Sequence, residues 1–221
     1  MANLYIHYPF CKQACHYCNF HFSTGAKGRD QMMELIEEEL QMRASELKSP
    51  LESIYFGGGS PSLISTERIT SFISKVTNQF DTVEGMEITL EVNPDDVDEN
   101  YLSRLKLAGI NRLSLGIQSF SEKDLRLMHR AHDRKEAENA LKAVTKQFEN
   151  FSLDLIYGMP DSSIGDWEES LLLALSYDPP HISAYALTVE EKTVLHRLVN
   201  KDKVTLLPEE TVKEQYDLLV A

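Results

Sequence analysis

The chain has 221 residues and a formal net charge of −13, because 35 Asp plus Glu residues outnumber 22 Lys plus Arg. A composition that is 42% hydrophobic and 26% charged is typical of a globular protein and excludes collagen-like, low-complexity and disordered classes. The negative charge argues against non-specific nucleic-acid binding, since a phosphate backbone would be repelled. No apolar run approaches the roughly 20 residues that span a bilayer, and the N-terminus has no basic segment. We therefore expect a cytoplasmic protein without a signal peptide or an integral membrane segment.

Six short apolar runs alternate with amphipathic segments along the chain. The runs are rich in Ile, Leu, Val, Phe and Tyr and lack the long polar alternation of a sheet with one wet face, and they predict strands. The segments between them carry apolar residues at three- and four-residue spacing and predict helices. The predicted strands are 4–8, 53–56, 87–92, 112–117, 152–157 and 181–187, and the predicted helices are 30–47, 65–80, 99–107, 135–148 and 163–176.

Local signals mark several helix ends. Ser65 stands at the start of a predicted helix, and Ser121 is followed three residues later by Asp124, which approximates a capping box. Gly109 follows a predicted helix at the position where a left-handed residue usually ends one.

The alternation of strands and helices predicts a parallel α/β sheet. A complete (β/α)8 barrel usually needs about 250 residues, so this length suits a partial (β/α)6 TIM-like barrel or a doubly wound sheet. In both architectures functional residues lie at the carboxyl ends of the strands. Polar or glycine-rich segments end or follow all six strands, which predicts one site at that end of the sheet. These segments are the loop 11–18 and the stretches 57–61, 91–94, 116–119, 154–160 and 183–188.

The three cysteines of the chain, Cys11, Cys15 and Cys18, lie within eight residues. An odd set so closely spaced is not a disulfide framework. Soft thiolates in a compact loop suit an iron–sulfur cluster or zinc, and incidental thiols are the third interpretation. In a cubane cluster, three thiolates would leave one iron open to a small molecule. Zinc would need a fourth ligand, for which the candidates are His7, His16 and His21.

The chain resembles the radical S-adenosylmethionine (SAM) superfamily in its Cys-x3-Cys-x2-Cys loop, the aromatic Tyr17 before the last cysteine, and the glycine-rich turn after the second strand. Further segments are similar to the family of oxygen-independent coproporphyrinogen III oxidases and the haem chaperone HemW, and the resemblance runs from about residue 4 to at least residue 190. These segments are Tyr-Ile-His-Tyr-Pro-Phe-Cys at 5–11, Phe-Gly-Gly-Gly-Ser-Pro-Ser at 56–62, Gly-Ile-Gln-Ser-Phe at 116–120 and Asp-Leu-Ile-Tyr-Gly-Met-Pro at 154–160.

The resemblance implies a role for each matching residue. Cys11, Cys15 and Cys18 would hold a [4Fe-4S] cluster whose open iron binds the amino and carboxylate groups of SAM, and one electron would cleave SAM to methionine and a 5′-deoxyadenosyl radical. The glycine turn would bind the methionyl end through close approach and backbone N–H groups. Glu91 would meet the ammonium or the ribose hydroxyls. The implied cofactor-binding residues are Tyr5, Tyr17, Gly57, Gly58, Gly59, Ser60, Glu91, Gln118, Arg130, Asp154 and Thr188.

Several of these positions also have a purely structural interpretation. The glycines could simply form a strained turn, Glu91 could be a surface carboxylate, and Tyr5 could pack on the sheet. Arg130 lies in a basic stretch, 126–134, which could be a solvated helix face. Asp154 lies in an apolar strand, where an unpaired carboxylate is costly, so we expect a ligand or an arginine partner.

The resemblance also bears on which branch of the family this is. In the oxidase branch four of the implied positions contact a second SAM, and another cysteine tends to follow two residues after the third cluster ligand. Phe20 occupies that place, which is similar to the HemW-like pattern. The four positions are Gln118, Arg130, Asp154 and Thr188.

The HemW-like pattern implies that the full-length protein binds haem and passes it to an acceptor protein, with an electron donor for the cluster. The alternative is a coproporphyrinogen III dehydrogenase that decarboxylates propionate side chains, and a third is a zinc-stabilised structural domain. We expect residues 1–205 to form the radical SAM core. Residues 206–221 would begin a C-terminal domain that is mostly absent from a truncated chain.

Overall fold

The computed structural model describes residues 2–221 and contains one sheet of six parallel strands. The strands are β1 (Ala2–Tyr8), β2 (Leu51–Gly58), β3 (Thr82–Val92), β4 (Arg112–Gln118), β5 (Phe151–Tyr157) and β6 (His181–Ala186). The helices are α1 (Arg29–Met42), α2 (Thr66–Gln79), α3 (Glu99–Leu107), α4 (Glu122–Leu127), α5 (Arg134–Gln147), α6 (Ile164–Leu175), α7 (Val194–Val199) and α8 (Glu209–Val220).

Strand order decides between the two predicted architectures. Each strand pairs in parallel with its neighbours along the chain, and β1 and β6 form the two edges. A doubly wound sheet reverses its order at a switch point, whereas a barrel runs in sequence. The partial (β/α)6 barrel is therefore confirmed, and the doubly wound alternative is wrong.

The two faces of the sheet differ in polarity. The convex face lies under the helices and supplies the apolar core, in which Phe56, Leu90 and Leu115 are fully buried. On the concave face, Ser53 Oγ of β2 donates a hydrogen bond to Asn3 Oδ1 of the neighbouring β1 at 2.9 Å. The prediction that the strands lack polar alternation is wrong. Along each strand, apolar residues of the convex face alternate with polar residues of the concave face.

Side chains cap the helices mostly as predicted. Ser65 Oγ accepts the N–H of Arg68 before α2, and Gly109 adopts a φ of 98° after α3. Ser121 Oγ accepts the Asp124 N–H before α4, but the Asp124 carboxylate accepts from Ser119 Oγ at 2.8 Å. Only half of that capping box is therefore present.

The observed helices differ from the predicted ones in two respects. The helix predicted over 30–47 ends at Met42, and a 3-10 turn, Ala44–Glu46, follows it. Of the short helices, α4 was signalled only by its cap Ser121 and α7 was not predicted, because six residues hold too few turns to show a period. None of the helices described within residues 2–221 is long and apolar enough to cross a membrane.

The last helix, α8, packs against α6 and the end of β5. Gln215 is fully buried there. Its Oε1 accepts the Gly158 N–H at 2.7 Å, and its backbone oxygen accepts from Trp167 Nε1 at 2.9 Å. The division of the chain near residue 205 stays a prediction.

Candidate functional site

A cleft opens at the carboxyl ends of the strands, and most of the residues predicted from the sequence line it, whereas Gly57 lines neither this cleft nor the compartment beside it. Tyr5 and Thr188 line an adjoining compartment that shares one wall with this cleft. The predicted residues on the wall of the cleft itself are Cys11, Cys15, Tyr17, Cys18, Gly58, Gly59, Ser60, Glu91, Gln118, Arg130 and Asp154.

Backbone hydrogen bonds hold the cysteine loop over the end of the sheet. The Cys11 N–H donates to the Ser23 carbonyl at 2.9 Å, and the Cys18 N–H donates to the Cys15 carbonyl at 3.4 Å. The three thiols are free and half-buried. Burial raises the pKa of the Cys11 and Cys18 thiols, and a hydrogen bond from the Ser60 hydroxyl opposes this at Cys11.

The glycine turn lies directly against the cysteine loop. The Gly59 and Ser60 N–H groups donate to the carbonyls of Tyr8 and Phe10, at 2.9 and 2.7 Å. The Gly58 N–H donates to Glu91 Oε2 at 3.1 Å. These three N–H groups therefore have acceptors within the protein, and binding of the methionyl end by the turn stays a prediction.

Glycine is required in this turn for two physical reasons. Gly58 has a φ of 115°, and a Cβ there would lie 2.8 Å from His7 Nδ1. Gly57 has its own restriction, because a Cβ there would lie 2.9 Å from the rings of Tyr5 and Tyr55. The backbone of the turn therefore requires glycine whether or not it also binds SAM, and the turn packs against the cysteine loop.

Glu91 is half-buried at the end of β3 and is held by two donors. Besides the Gly58 N–H, its carboxylate accepts a hydrogen bond from Tyr55 Oη at 2.9 Å. Burial raises the pKa of Glu91, and the nearby charge of Asp154 raises it further. Glu91 is thus a fixed group of the cleft wall rather than a solvated surface carboxylate.

Asp154 lies on the concave face of β5 without a cationic partner. Ser114 Oγ lies 3.2 and 3.0 Å from its two carboxylate oxygens. No Lys, Arg or His of the described chain forms an ion pair with it, so the expected arginine partner is not found. Burial raises the pKa of this carboxyl, and the hydroxyl of Ser114 opposes the change.

The guanidinium of Arg130 contacts three groups at the cysteine side of the cleft. Its Nη1 donates to Cys15 Sγ at 3.4 Å, and its Nη2 donates to Asn93 Oδ1 at 2.6 Å and to the Gly116 carbonyl at 3.0 Å. Its Nε is shielded from solvent and has no partner. The phenol of Tyr17 also lies near this cation, although burial dominates and raises the pKa of Tyr17.

The other basic residues of 126–134 point elsewhere. Arg126 is exposed and pairs with Glu122, whereas Arg134 pairs with Glu138. His132 is buried. The interpretation of 126–134 as one solvated basic face is therefore wrong.

Gln118 lies at an irregular point of the backbone, and Thr188 lies just after β6. Gln118 has a φ of 66°, and the register of β4 against β5 shifts just before it. This bulge puts its side chain on the cleft wall. Thr188 Oγ1 lies 3.4 Å from the Ala186 carbonyl and faces the adjoining compartment.

The donor set fits an iron–sulfur cluster in its chemistry. Residues 2–221 contain no three His, Cys, Asp or Glu side chains placed to hold a single metal ion. A cubane imposes a different requirement, because each thiolate binds a different iron. Two of the histidines considered for zinc bond a protein group through Nδ1, which leaves only Nε2 for a metal: His7 Nδ1 bonds Tyr5 Oη at 3.1 Å, and His16 Nδ1 bonds the Leu127 carbonyl at 2.9 Å.

Sequence reasoning missed four residues that orient the predicted ones. Asn93 accepts a hydrogen bond from Arg130, and Ser114 donates one to Asp154. Tyr55 donates one to Glu91. Lys12 pairs with Asp95 and Asp96 and so ties the cysteine loop to the turn after β3. The signal that could have revealed Ser114 is the alternation of Ser114, Gly116 and Gln118 with apolar residues along β4.

An open parallel half-barrel that carries a Cys-x3-Cys-x2-Cys loop and a glycine turn at the carboxyl ends of its strands defines a radical SAM domain. The sequence profile described as "Radical SAM superfamily" matches residues 5–174. The chain therefore belongs to this superfamily, as the sequence motifs predicted.

Similar proteins narrow the relationship. "Heme chaperone HemW" of Bacillus subtilis is 34% identical over 225 residues, which are 100% of this chain and 59% of that protein. HemW of Escherichia coli is 35% identical over 87% of this chain and 52% of its own length. "Radical S-adenosyl methionine domain-containing protein 1, mitochondrial" of Danio rerio is 32% identical over 97% of this chain and 49% of its own length. The chain spans about half the length of these relatives.

Among solved structures, the coproporphyrinogen III oxidase HemN of Escherichia coli, described as a radical SAM enzyme, superimposes with a TM-score of 0.85. The match covers 99% of this chain and 51% of that one at 23% identity. At this identity the likeness shows a shared fold.

Proposed function

We propose that this chain is the radical SAM domain of a HemW-like haem chaperone, and that it holds one [4Fe-4S] cluster and SAM in the cleft. The observation that carries the proposal is that Cys11, Cys15 and Cys18 lie on one wall of a single cleft and are the only cysteines in the chain. Three thiolates leave one iron of a cubane for a ligand that is not protein. When bound, the cluster supplies the electron that cleaves SAM reductively.

The residues of the cleft would then bind and orient SAM. Glu91, fixed by Tyr55 and Gly58, offers its carboxylate to the ammonium group or to the ribose hydroxyls. The positively charged guanidinium of Arg130 has no carboxylate partner within residues 2–221. It is therefore suited to bind the carboxylate of SAM or of a porphyrin side chain. Tyr5 and Thr188 bound the adjoining compartment, where a larger group has room.

Haem binding and its transfer belong to the full-length protein in this proposal. The relatives named heme chaperone support it, since they match nearly the whole chain. Phe20 supports it too, because it lines the cleft at the place where the oxidase branch tends to carry a cysteine. The partners would be haem or a porphyrin, an electron donor and an acceptor protein, and we propose that the protein acts in the cytoplasm.

The second candidate is a coproporphyrinogen III dehydrogenase. It is favoured by one observation, namely that Gln118, Arg130 and Asp154, which match second-SAM contacts in the oxidase branch, all line the same cleft. In that case the domain would direct hydrogen abstraction toward the propionate side chains of a porphyrinogen.

Anaerobic reconstitution tests the cluster. We expect about four irons per chain and a reduced-state electron paramagnetic resonance (EPR) signal that SAM perturbs. Cys15→Ala should abolish the signal. His21→Ala, a change at an exposed histidine of the same loop, should leave the signal intact, and it would lower metal content only if zinc used that ligand. Zinc without iron after anaerobic purification would overturn both candidates.

Incubation of the full-length protein with SAM, reductant and coproporphyrinogen III separates the two candidates. Retention of haem without decarboxylation supports the chaperone. Formation of protoporphyrinogen together with 5′-deoxyadenosine would reject it and establish the dehydrogenase.

A further inference from the structure

Arg130 and Cys15 are joined by a direct hydrogen bond from a cation to one of the three candidate cluster ligands. Arg130 Nη1 lies 3.4 Å from Cys15 Sγ, and the two residues are 115 positions apart in the chain. Arg130 forms no ion pair with any carboxylate in the described part of the chain. The positive charge therefore remains available to the sulfur rather than being neutralised beside it.

The guanidinium is held in this position from its far side. Asn93 Oδ1 accepts from Nη2 at 2.6 Å, and Asn93 Nδ2 in turn donates to Ser60 Oγ at 3.1 Å. The Gly116 carbonyl accepts from the same Nη2, and a Cβ on Gly116 would lie 3.5 Å from it. A planar fork bound at two points keeps its remaining N–H groups in a fixed direction, which here is toward Cys15.

The backbone that carries Arg130 is fastened to the cysteine loop as well. His129 stacks on His16 with ring centroids 4.6 Å apart, and its Nδ1 bonds the Ala14 carbonyl at 2.9 Å. Gln13 Nε2 donates to the His129 carbonyl at 2.8 Å. The residues before and after Cys15 in the chain are thus both fastened to the residue next to Arg130, which fixes the distance between Arg130 and Cys15.

A cation that donates to a ligating sulfur changes the energy of the bound cluster. Reduction adds one electron to the cluster and its thiolates, and no proton and no covalent bond need change. A fixed positive charge stabilises the more negative, reduced form more than the oxidised form. Hydrogen bonds to the sulfurs and the local charge are recognised determinants of iron–sulfur potentials.

We propose that Arg130 is a positioning residue that raises the reduction potential of the cluster through its bond to Cys15 Sγ, before any SAM is bound. This inference rests on the proposed function, since it requires the cluster. It gives Arg130 a role distinct from contact with SAM. The electron comes from a low-potential one-electron donor, for which dithionite stands in during the redox titration.

A redox titration without SAM, followed by the EPR signal of the reduced cluster, tests this role. At a fixed potential, Arg130→Gln should lower the ratio of reduced to oxidised cluster about tenfold, which for one electron corresponds to about 59 mV. The matched control is Arg126→Gln, which removes an exposed arginine paired with Glu122 and should change the ratio less than about twofold.

Each outcome has one meaning. A wild-type chain that assembles no iron refutes the proposed function. An Arg130→Gln chain with full iron content and an unchanged ratio overturns the redox role, and a loss of SAM affinity alone would make Arg130 a SAM ligand. If Arg130→Gln assembles no cluster, Asn93→Leu removes one of the two acceptors that hold the guanidinium without changing charge. It should lower the ratio about threefold, and an unchanged ratio overturns the proposal.

Discussion

Gly59 approaches Cys11 so closely that a Cβ atom on the glycine would lie 2.9 Å from the cysteine Sγ. The same Cβ would lie 2.6 Å from the carbonyl oxygen of Phe10, which is shorter than any ordinary contact. The backbone of the turn after β2 therefore packs directly on the first candidate cluster ligand. No other residue fits at this point without displacing the cysteine loop.

Gly59→Ala should consequently damage both stability and iron binding. Forcing a methyl group against a backbone carbonyl costs about 1–3 kcal/mol, and relief of the clash moves Cys11. Urea unfolding of the metal-free chain and iron content after reconstitution measure the two effects. Gly165→Ala is the control, because its nearest atom is Ser163 Oγ at 3.7 Å; helix propensity should leave it equal or up to about 1 kcal/mol more stable. Full iron loading of Gly59→Ala would contradict the prediction.

The features that the sequence predicts well are local in the chain. The cysteine loop and the glycine turn are continuous motifs, and the strands that precede them place both at one end of the sheet. The contacts of Arg130 with Asn93 and of Asp154 with Ser114 join residues 37 and 40 positions apart. They depend on strand register and on the bulge before Gln118, and neither property has a signal in a single sequence.

The expected arginine partner of Asp154 illustrates the same limit. Sequence reasoning correctly treats the burial of a carboxylate in an apolar strand as costly in free energy, but it assumes that both faces of the strand are shielded from water. In β5 only the convex face is shielded. The concave face supplies the Ser114 hydroxyl, so the cost is met by a neutral donor and not by a cation.

Asp154→Asn should make the protein more stable at neutral pH. Burial raises the pKa of Asp154, so its carboxyl group binds a proton more tightly in the native state than in the unfolded chain. The free energy of unfolding of the wild type therefore falls as pH rises from about 4, the unfolded value, through the native pKa. Asp154→Asn lacks this loss of stability. Its free energy of unfolding should exceed that of the wild type at about pH 7, and the difference should vanish below about pH 4.

Urea unfolding of both proteins across this pH range measures the difference. Asp161→Asn serves as the control, because the Asp161 side chain is 73% exposed and its replacement should have little effect at any pH. An Asp154→Asn variant whose advantage does not depend on pH would show that packing, and not ionisation, is the cause.

The buried His132 should destabilise the protein in acid. Burial, helped by the charge of Arg130, lowers the pKa of His132 to about 4. Its Nε2 carries the proton, because it faces the Ile117 carbonyl at 3.0 Å, while Nδ1 is buried without a partner. Stability is present above the unfolded pKa of about 6.5 and is lost as pH falls toward about 4, by about 3 kcal/mol in all.

His132→Gln keeps a donor for the Ile117 carbonyl and has nothing to titrate. The free energy of unfolding of this variant should therefore change less with pH than that of the wild type between about pH 6.5 and about pH 4. His181→Gln, at an exposed histidine of β6, should keep the wild-type slope. Equal slopes for His132→Gln and the wild type would show that His132 is not buried in its neutral form.

Gln215→Leu tests whether α8 is part of the folded domain. Gln215 is fully buried, and its Oε1 is the acceptor for the Gly158 N–H just after β5. Leucine fills the space but leaves this buried N–H without a partner, which costs about 1–3 kcal/mol. Glu214→Gln, one residue away and exposed, should change the free energy of unfolding by less than about 0.5 kcal/mol. If Gln215→Leu has the same urea midpoint of unfolding as the wild type, α8 does not stabilise the end of β5.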